Sequence, residues 1–293
     1  AGIRPEDIEM VVIGTTTPDL VFPNAATLVQ HRLGIPACPC IATEEACTSF
    51  IYGLSIADKF IKSGEVKRVL VIGVECITKL VDWTDRNTCV LFGDGAGAVV
   101  LEPSDRECGL LGAHLGCDGR HAQILEVPNS GTAGDRFIED YNVFKVNFDG
   151  REIFKRAVKG MAGEVRKVLG DLELGTGDID VIIPHQANLR IIESLAHYLR
   201  VPMEQVAVNI ERYGNTSAAT IPVALCELLE QGRIKPGDRL LLAAFGAGLT
   251  RAAGLIRWGE RATPLGESDA ELPPCDKTAL EILADAIEHT LKD

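Results

Sequence analysis

The chain has 293 residues, is 46% hydrophobic with 5% aromatics, and carries a formal net charge of −13. That length suffices for a large core in one domain or two half-domains, and the aliphatic composition suits layered α/β packing. The acidic balance argues against a nucleic-acid partner, and the longest apolar runs, such as 69–74, are too short to span a bilayer. Nine cysteines with no CxxC spacing read as reduced thiols of a cytoplasmic protein, and Cys38-Pro39-Cys40 is too tight for a zinc site. No metal and no cofactor is therefore expected. The opening AGIRPEDIE is neither a basic nor an apolar leader. It reads as the end of a helix before a strand, so residues ahead of Ala1 are expected.

Met10 to Thr16 is nearly all apolar and β-rich, as a buried parallel strand should be. Asn24 to Leu33 reads as a helix after Pro23. A short β-like run leads to Cys47, which heads an apolar helix to about Ser63, stopped by Gly64. Val69 to Val74 is a strand, and Gly93–Gly97 is a loop feeding the strand Ala98 to Leu101. Pro103 to Glu107 reads as the boundary between halves, and Cys117 to Gly134 as a long loop. Arg151 to Leu169 is a helix, Val181 to Pro184 a strand, Leu189 to Leu199 a helix, and Ser217 to Gln231 another helix. Leu240 to Ala244 and Ala252 to Trp258 complete a second sheet. After Trp258 a polar, Pro-containing linker precedes a short amphipathic helix over Thr278 to Leu291. The expected division is 1–103, 104–258 and an appended 259–293.

An internal repeat underlies this order. With Cys47 set on Asn215, Thr48-Ser49 falls on Thr216-Ser217 and Gly64 on Gly232. Upstream, the run from Asp7 resembles the run from Asp178, and each half reads strand, polar elbow, helix, strand.

Three side chains in this frame suit covalent acyl chemistry. Cys47 in EACTSF sits at a helix start, where the dipole and free N–H groups favour a nucleophilic thiolate. The plainer reading, a buried structural thiol, holds for the other cysteines. His185 in PHQAN leaves an apolar strand at its carboxyl end, where ligands of parallel sheets bind, although a lone His is more often structural. Asn215 in GNTSA can both present a carboxamide and cap the helix that follows. Gly93-Asp94-Gly95-Ala96-Gly97 precedes a strand rather than a helix and is not read as a nucleotide loop. The glycine loop at Phe245–Gly248 could offer an N–H to a forming oxyanion.

These residues match a family. The chain resembles β-ketoacyl-acyl-carrier-protein synthase III of the thiolase-like condensing enzymes, through TTTPDLVFPNAA, ACTSFIYGLSIAD, DRNTCVLFGDGAGAVVLE, PHQANLRII, ERYGNTSAATIPVAL, GRIKPGD and FGAGLT. The resemblance runs from Ala1 to Trp258. It implies an α/β fold, a thiolase-like five-layer αβαβα sandwich of two pseudo-twofold halves, and a homodimer. It also implies Cys47 as the nucleophile that takes an acyl group from acyl-CoA, and decarboxylation of a malonyl unit on acyl carrier protein helped by His185 and Asn215. The backbone N–H groups of Cys47 and Ala247 correspond to the oxyanion hole, where each donor contributes on the order of 3 kcal/mol. Phe22 matches a residue that closes the neighbouring subunit's acyl pocket. Arg86, Gly150, Phe154, Asn188, Arg190 and Phe245 match the pantetheine and coenzyme A channel. Lys155 and Arg190 would meet an acidic carrier protein, or form an ordinary solvated face.

The chain also departs from the family. The family's first strand and helix are absent, Glu44 and Glu45 precede the cysteine, Ser49 replaces a glycine, and Arg251 stands where a Trp is usual. A buried carboxylate needs a partner, so Arg251 or another base is expected to pair with Glu44 or Glu45. The leading expectation is a decarboxylating condensing enzyme. The alternatives are an acyltransferase that does not decarboxylate and an inactive scaffold subunit.

Overall fold

Met10–Gly14 (β1) buries every residue because both faces of the strand are covered and both edges are paired. The helix Ala25–Arg32 (α1), capped by the Asn24 side chain, leads to Cys40–Thr43 (β2). Ser49–Ser63 (α2), Val69–Glu75 (β3) and Gly95–Leu101 (β4) follow. The sheet runs β2-β1-β3-β4, with β1 parallel to β2 and β3, and β4 antiparallel to β3. A computed structural model describes residues 2–128, 131–132, 146–263, 276–278, 281 and 284.

The rest of the chain builds the same unit again. Gly109–Cys117 (β5), the short pair Leu125–Glu126 (β6) and Asn147–Phe148 (β7), and the long helix Gly150–Asp171 (α3) come first. Val181–Pro184 (β8), Leu189–Leu199 (α4), the single turn Ile210–Tyr213 (α5) and Thr220–Glu230 (α6) lead to Arg239–Gly246 (β9) and Thr250–Arg257 (β10). This sheet runs β5-β10-β9-β8, and only β8 and β9 are parallel.

Strand alternation sorts the side chains into layers. Met10 and Val12 face inward with Val69 and Val71, against Phe50, Ile51 and Leu54 of α2 and Ile221, Leu225 and Leu228 of α6. Ile183, Leu240, Leu242 and Ala244 meet the same helices from the second sheet. Val11 and Ile13 face outward onto α1. Ile182, Leu241, Ala243 and Leu255 face outward onto α3 and α4. The layers are therefore α1, sheet, α2 with α6, sheet, α3 with α4, the expected αβαβα sandwich. Among the described residues β4 has no strand on its outer edge, whereas β10, its counterpart, pairs there with β5.

Two sequence expectations change. β5 is a nine-residue strand that its Gly-rich, half-exposed sequence conceals, and it ends where a long loop was expected to begin. The repeat register also slips at the elbow. Ala46 and Ser217 both hold left-handed φ, 48° and 49°, and each heads a tight turn into its helix. Cys47 is thus the counterpart of Ala218, and Asn215 lies ahead of that position. α2 has 15 residues and α6 only 11, so matching Gly64 with Gly232 at their ends forces the elbows out of step. The expected helix over Thr278 to Leu291 lies largely outside the described residues.

The two halves press together at the α6 elbow. A Cβ added to Gly73 would stand 2.3 Å from the Ala218 carbonyl oxygen, so β3 can approach the elbow only as glycine. Gly73→Ala should cost about 1–3 kcal/mol of stability, read as a lower midpoint in urea at unchanged m-value.

Candidate active site

Cys47 lies in the turn Ala46–Thr48 between β2 and α2. Its backbone is locked from two sides. The Thr48 hydroxyl stands 2.7 Å from the Glu45 carbonyl and 3.0 Å from the Thr250 hydroxyl, and Thr250 donates to the same carbonyl at 3.0 Å. Gly246, the last residue of β9, sits so close that an added Cβ would be 2.9 Å from the Cys47 nitrogen. Ala247 begins the next turn, Ala247–Leu249. The leading N–H groups of such turns lack acceptors within the turn.

The side chain of Cys47 is buried, and its sulfur is 3.4 Å from Ser217 Oγ. Burial pushes the thiol up to about 12, and the contact with Ser217 does not offset it. The expectation of a thiol lowered by its helix start is corrected here, because the sulfur is removed from water while the favourable dipoles are few.

His185 continues β8, where its N–H donates to the Ala243 carbonyl at 2.8 Å. Its ring is 2% exposed, and Nδ1 is 2.7 Å from Thr220 Oγ1. Burial pulls the imidazole down to about 3, so the ring is neutral at physiological pH. Gln186 anchors the segment by donating to the Pro184 and Ala207 carbonyls and accepting from the Asn209 N–H.

Asn215 is held by its backbone. Its N–H donates to Leu91 at 2.8 Å and its carbonyl accepts from Gly93 at 3.1 Å. Its Oδ1 accepts from the Ser217 N–H at 2.9 Å, an Asx contact inside the elbow rather than the expected helix cap, because Thr216 and Ala219 hold the cap positions ahead of α6. Oδ1 is thereby engaged, and Nδ2 is the end of the amide left to serve a ligand.

Ser217 ties the three together. Its hydroxyl faces Cys47, its N–H holds Asn215, and its carbonyl is 3.0 Å from the Thr220 hydroxyl that contacts His185. Its hydroxyl also donates to Glu75 Oε1 at 3.2 Å. Glu75 ends β3, is 1% exposed, and accepts from Thr16 N at 3.1 Å and from the Thr17 hydroxyl at 2.6 Å. The sequence reading missed Ser217, Thr220 and Glu75. A signal existed for Glu75, since it closes an apolar strand of a parallel sheet just as His185 does.

The other expected residues are spread more widely. Phe245 is buried on β9 and packs against Gly160 of α3. Gly150 and Phe154 lie in the first turns of α3, and Asn188 caps α4 by accepting from Arg190 N at 2.9 Å. Arg86, Lys155 and Arg190 face solvent. Phe22 is 83% exposed. The expected pairing of Arg251 is corrected: Nε lies 2.9 Å from Oε1 of the buried Glu164 on α3, as an ion pair without an aligned N–H. Glu44 is exposed, and Glu45 Oε2 is buried without a hydrogen-bond partner among the described residues. Arg251 arrives on β10 from the α3 side of the sheet, which puts Glu164 nearer.

A buried thiol at the head of a central helix, in a doubled αβαβα sandwich, defines the thiolase-like condensing class. Residues 42–119 match the family described as 3-oxoacyl-[acyl-carrier-protein (ACP)] synthase III, and 169–258 match its C-terminal part. Beta-ketoacyl-[acyl-carrier-protein] synthase III 2 of Vibrio cholerae is 53% identical over 289 residues, covering 99% of this chain and 80% of that protein. The synthase III of Xanthomonas campestris pv. campestris is 49% identical over 259 residues, covering 88% and 79%. The crystal structure of 3-oxoacyl-[acyl-carrier-protein] synthase III from Aquifex aeolicus superposes with a TM-score of 0.81 at 43% identity, covering 87% and 79%. The chain belongs to the 3-oxoacyl-[acyl-carrier-protein] synthase III family.

The depressed imidazole has a consequence for stability. Unfolded His binds a proton below about 6.5 and folded His185 does not, so this group favours unfolding as the pH falls from 6.5 towards 3. The stability difference between wild type and His185→Asn should therefore change by about 1.4 kcal/mol per pH unit between about pH 6 and about pH 4. Urea titrations across that range check it, with the wild type losing more.

Proposed function

We propose that this chain transfers an acyl group from acyl-CoA to Cys47 and condenses it, with loss of carbon dioxide, with a malonyl unit on acyl carrier protein. The product is a β-ketoacyl thioester that starts a fatty acid chain. The observation that carries this reading is the single turn 215–220, whose contacts link the thiol, the carboxamide and the imidazole, all three buried.

The Cys47 sulfur attacks the acyl carbonyl, the new C–S bond forms, and coenzyme A departs with the electron pair of the old one. The N–H groups of Cys47 and Ala247 receive the transient oxyanion. The malonyl thioester oxygen then accepts from Asn215 Nδ2 and from His185 Nε2. For Nε2 to donate, Thr220 must give its proton to Nδ1, and its contact there, 2.7 Å, is shorter than that to the Ser217 carbonyl, 3.0 Å. As the C–C bond to carbon dioxide breaks, its electron pair becomes the enolate. The enolate carbon attacks the acyl-Cys carbonyl, and Cys47 leaves. A neutral imidazole suits this step, since it donates a proton in a hydrogen bond without charging a dry pocket.

The substrate arms fit around this centre. Arg86 and Arg190 are exposed cations suited to the phosphates of coenzyme A, and Gly150, Phe154, Asn188 and Phe245 would flank the pantetheine. Lys155 with Arg190 offers a basic spot to an acidic carrier protein. Leu20, Val21 and Phe22 form an exposed apolar run suited to a second copy, in which Phe22 would close the partner's acyl pocket. The working unit is then a homodimer in the cytoplasm, with no resident metal or cofactor. The chain divides functionally into 1–103, with the nucleophile, and 104–258, with the enolate donors, and 259–293 is an appendage.

Peptide mass spectrometry after incubation with acyl-CoA from acetyl to dodecanoyl tests the first step. A mass gain mapped to Cys47, absent in Cys47→Ala, is expected, and the best-loaded chain names the primer. His185→Ala and Asn215→Ala should still load acyl groups but lose condensation by on the order of 10²-fold. Full condensation without Asn215 would favour plain acyl transfer.

A further inference from the structure

We propose that Ser217 and Glu75 form a relay that removes the Cys47 proton as the sulfur attacks acyl-CoA. The proposal rests on Cys47 being the nucleophile. The relay follows from the direction of the hydrogen bonds. Ser217 Oγ lies between Glu75 Oε1, at 3.2 Å, and Cys47 Sγ, at 3.4 Å. A hydroxyl has one proton and two lone pairs, and an ionised carboxylate only accepts. Ser217 therefore gives its proton to Glu75 and turns a lone pair to the thiol. The left-handed backbone at Ser217, φ 49°, aims the hydroxyl into this gap.

Glu75 is ringed by donors, yet its burial leaves it ready to take a proton. Thr16 N–H and the hydroxyls of Thr15, Thr16, Thr17 and Ser217 all lie within hydrogen-bond reach of its carboxylate. No cation faces it among the described residues, and burial pushes its carboxyl above the usual range. A raised carboxyl is a better base than a surface one. Cys47, whose thiol burial makes a poor acid, needs such a base. Ser217 is the one hydrogen-bond partner of its sulfur among the described residues. The other titratable groups near the pair are His185, neutral by burial, and Cys76, with Asp19, Asp94 and Lys79 around it.

The step balances. Sulfur forms a bond to the acyl carbon and releases its proton to Ser217 Oγ, and the Ser217 proton passes to Glu75 Oε1. Coenzyme A leaves as thiolate with the pair of the broken C–S bond and receives the proton back along the same path. Ser217 touches the reacting sulfur, and Glu75 acts through it as a positioning residue.

The opposite reading makes an opposite prediction. A carboxylate that only stands beside the thiol opposes thiolate formation, as the direction of its effect on Cys47 shows. Its removal would then speed loading. The test measures the rate of acyl loading on Cys47 by mass spectrometry against pH, for wild type, Ser217→Ala, Glu75→Gln and Glu75→Asp, with thermal melting of each. The relay predicts at least about tenfold slower loading at neutral pH for Ser217→Ala and Glu75→Gln, with the gap closing as the pH rises. It also predicts faster loading for Glu75→Asp than for Glu75→Gln. Loading at or above the wild-type rate in either disrupting variant overturns the relay. If Glu75→Gln does not fold, Ser217→Ala decides, since it keeps the carboxylate. A wild type that loads nothing overturns the nucleophile assignment, and the relay with it.

Discussion

The left-handed turn at Ser217 is the contact on which the pocket depends. It places one residue against Cys47, Asn215 and Glu75 at once, through its hydroxyl and its N–H. A buried polar network of this kind holds its members rigidly only when each is satisfied. The strain of a non-glycine residue in the left-handed region, of order 1–3 kcal/mol, is sustained by those bonds. Ala46 carries the same backbone at the other elbow and holds Cys47 itself.

Desolvation gives the pocket one consistent electrostatic character. The thiol is pushed up to about 12, the imidazole down to about 3, and the Glu75 carboxyl above its usual range. Each shift favours the uncharged form, because water is missing and few full charges replace it. Such a site is poorly screened by water. Its N–H donors then act strongly on an oxyanion that exists only in passing.

The doubled fold explains how the parts come together. Met10 pairs with Val69 in one sheet, and Val181 pairs with Leu240 in the other, so β1 corresponds to β8 and β3 to β9. Their ends have exchanged character. Where β8 runs on to His185, β1 ends at Gly14, and where β3 ends at Glu75, β9 ends at Gly246. The glycines leave room: an added Cβ on Gly14 would stand 2.5 Å from Ser49 Cβ, and one on Gly246 would crowd the Cys47 nitrogen. The nucleophile thus sits on one elbow with glycines around it, and the other elbow faces the polar strand ends. Arg251 and Glu164 form a separate ion pair on the α3 side of the second sheet.

The sequence by itself determined most of the strands and helices and singled out Cys47, His185 and Asn215 as candidates, while the layer order followed from the resemblance. Apolar runs of strand length, the glycine stops and the cysteine at a helix start are local signals, and they survive into the structure because both sheet faces are buried. It also marked Asn215 as a residue that bonds its neighbours' backbone, and the contact is an Asx turn to Ser217 rather than a helix cap. Only the tertiary structure decided the rest. The slip of the elbow register depends on the unequal lengths of α2 and α6, which a gap-free alignment cannot hold. The partner of Arg251 depends on which helix packs over β10. The thiol's resistance to ionisation depends on how completely the second half covers Cys47. Glu75 and Ser217 lie far apart in the chain and meet because β3 runs beneath the α6 elbow, a contact that pairwise burial creates and no local pattern encodes.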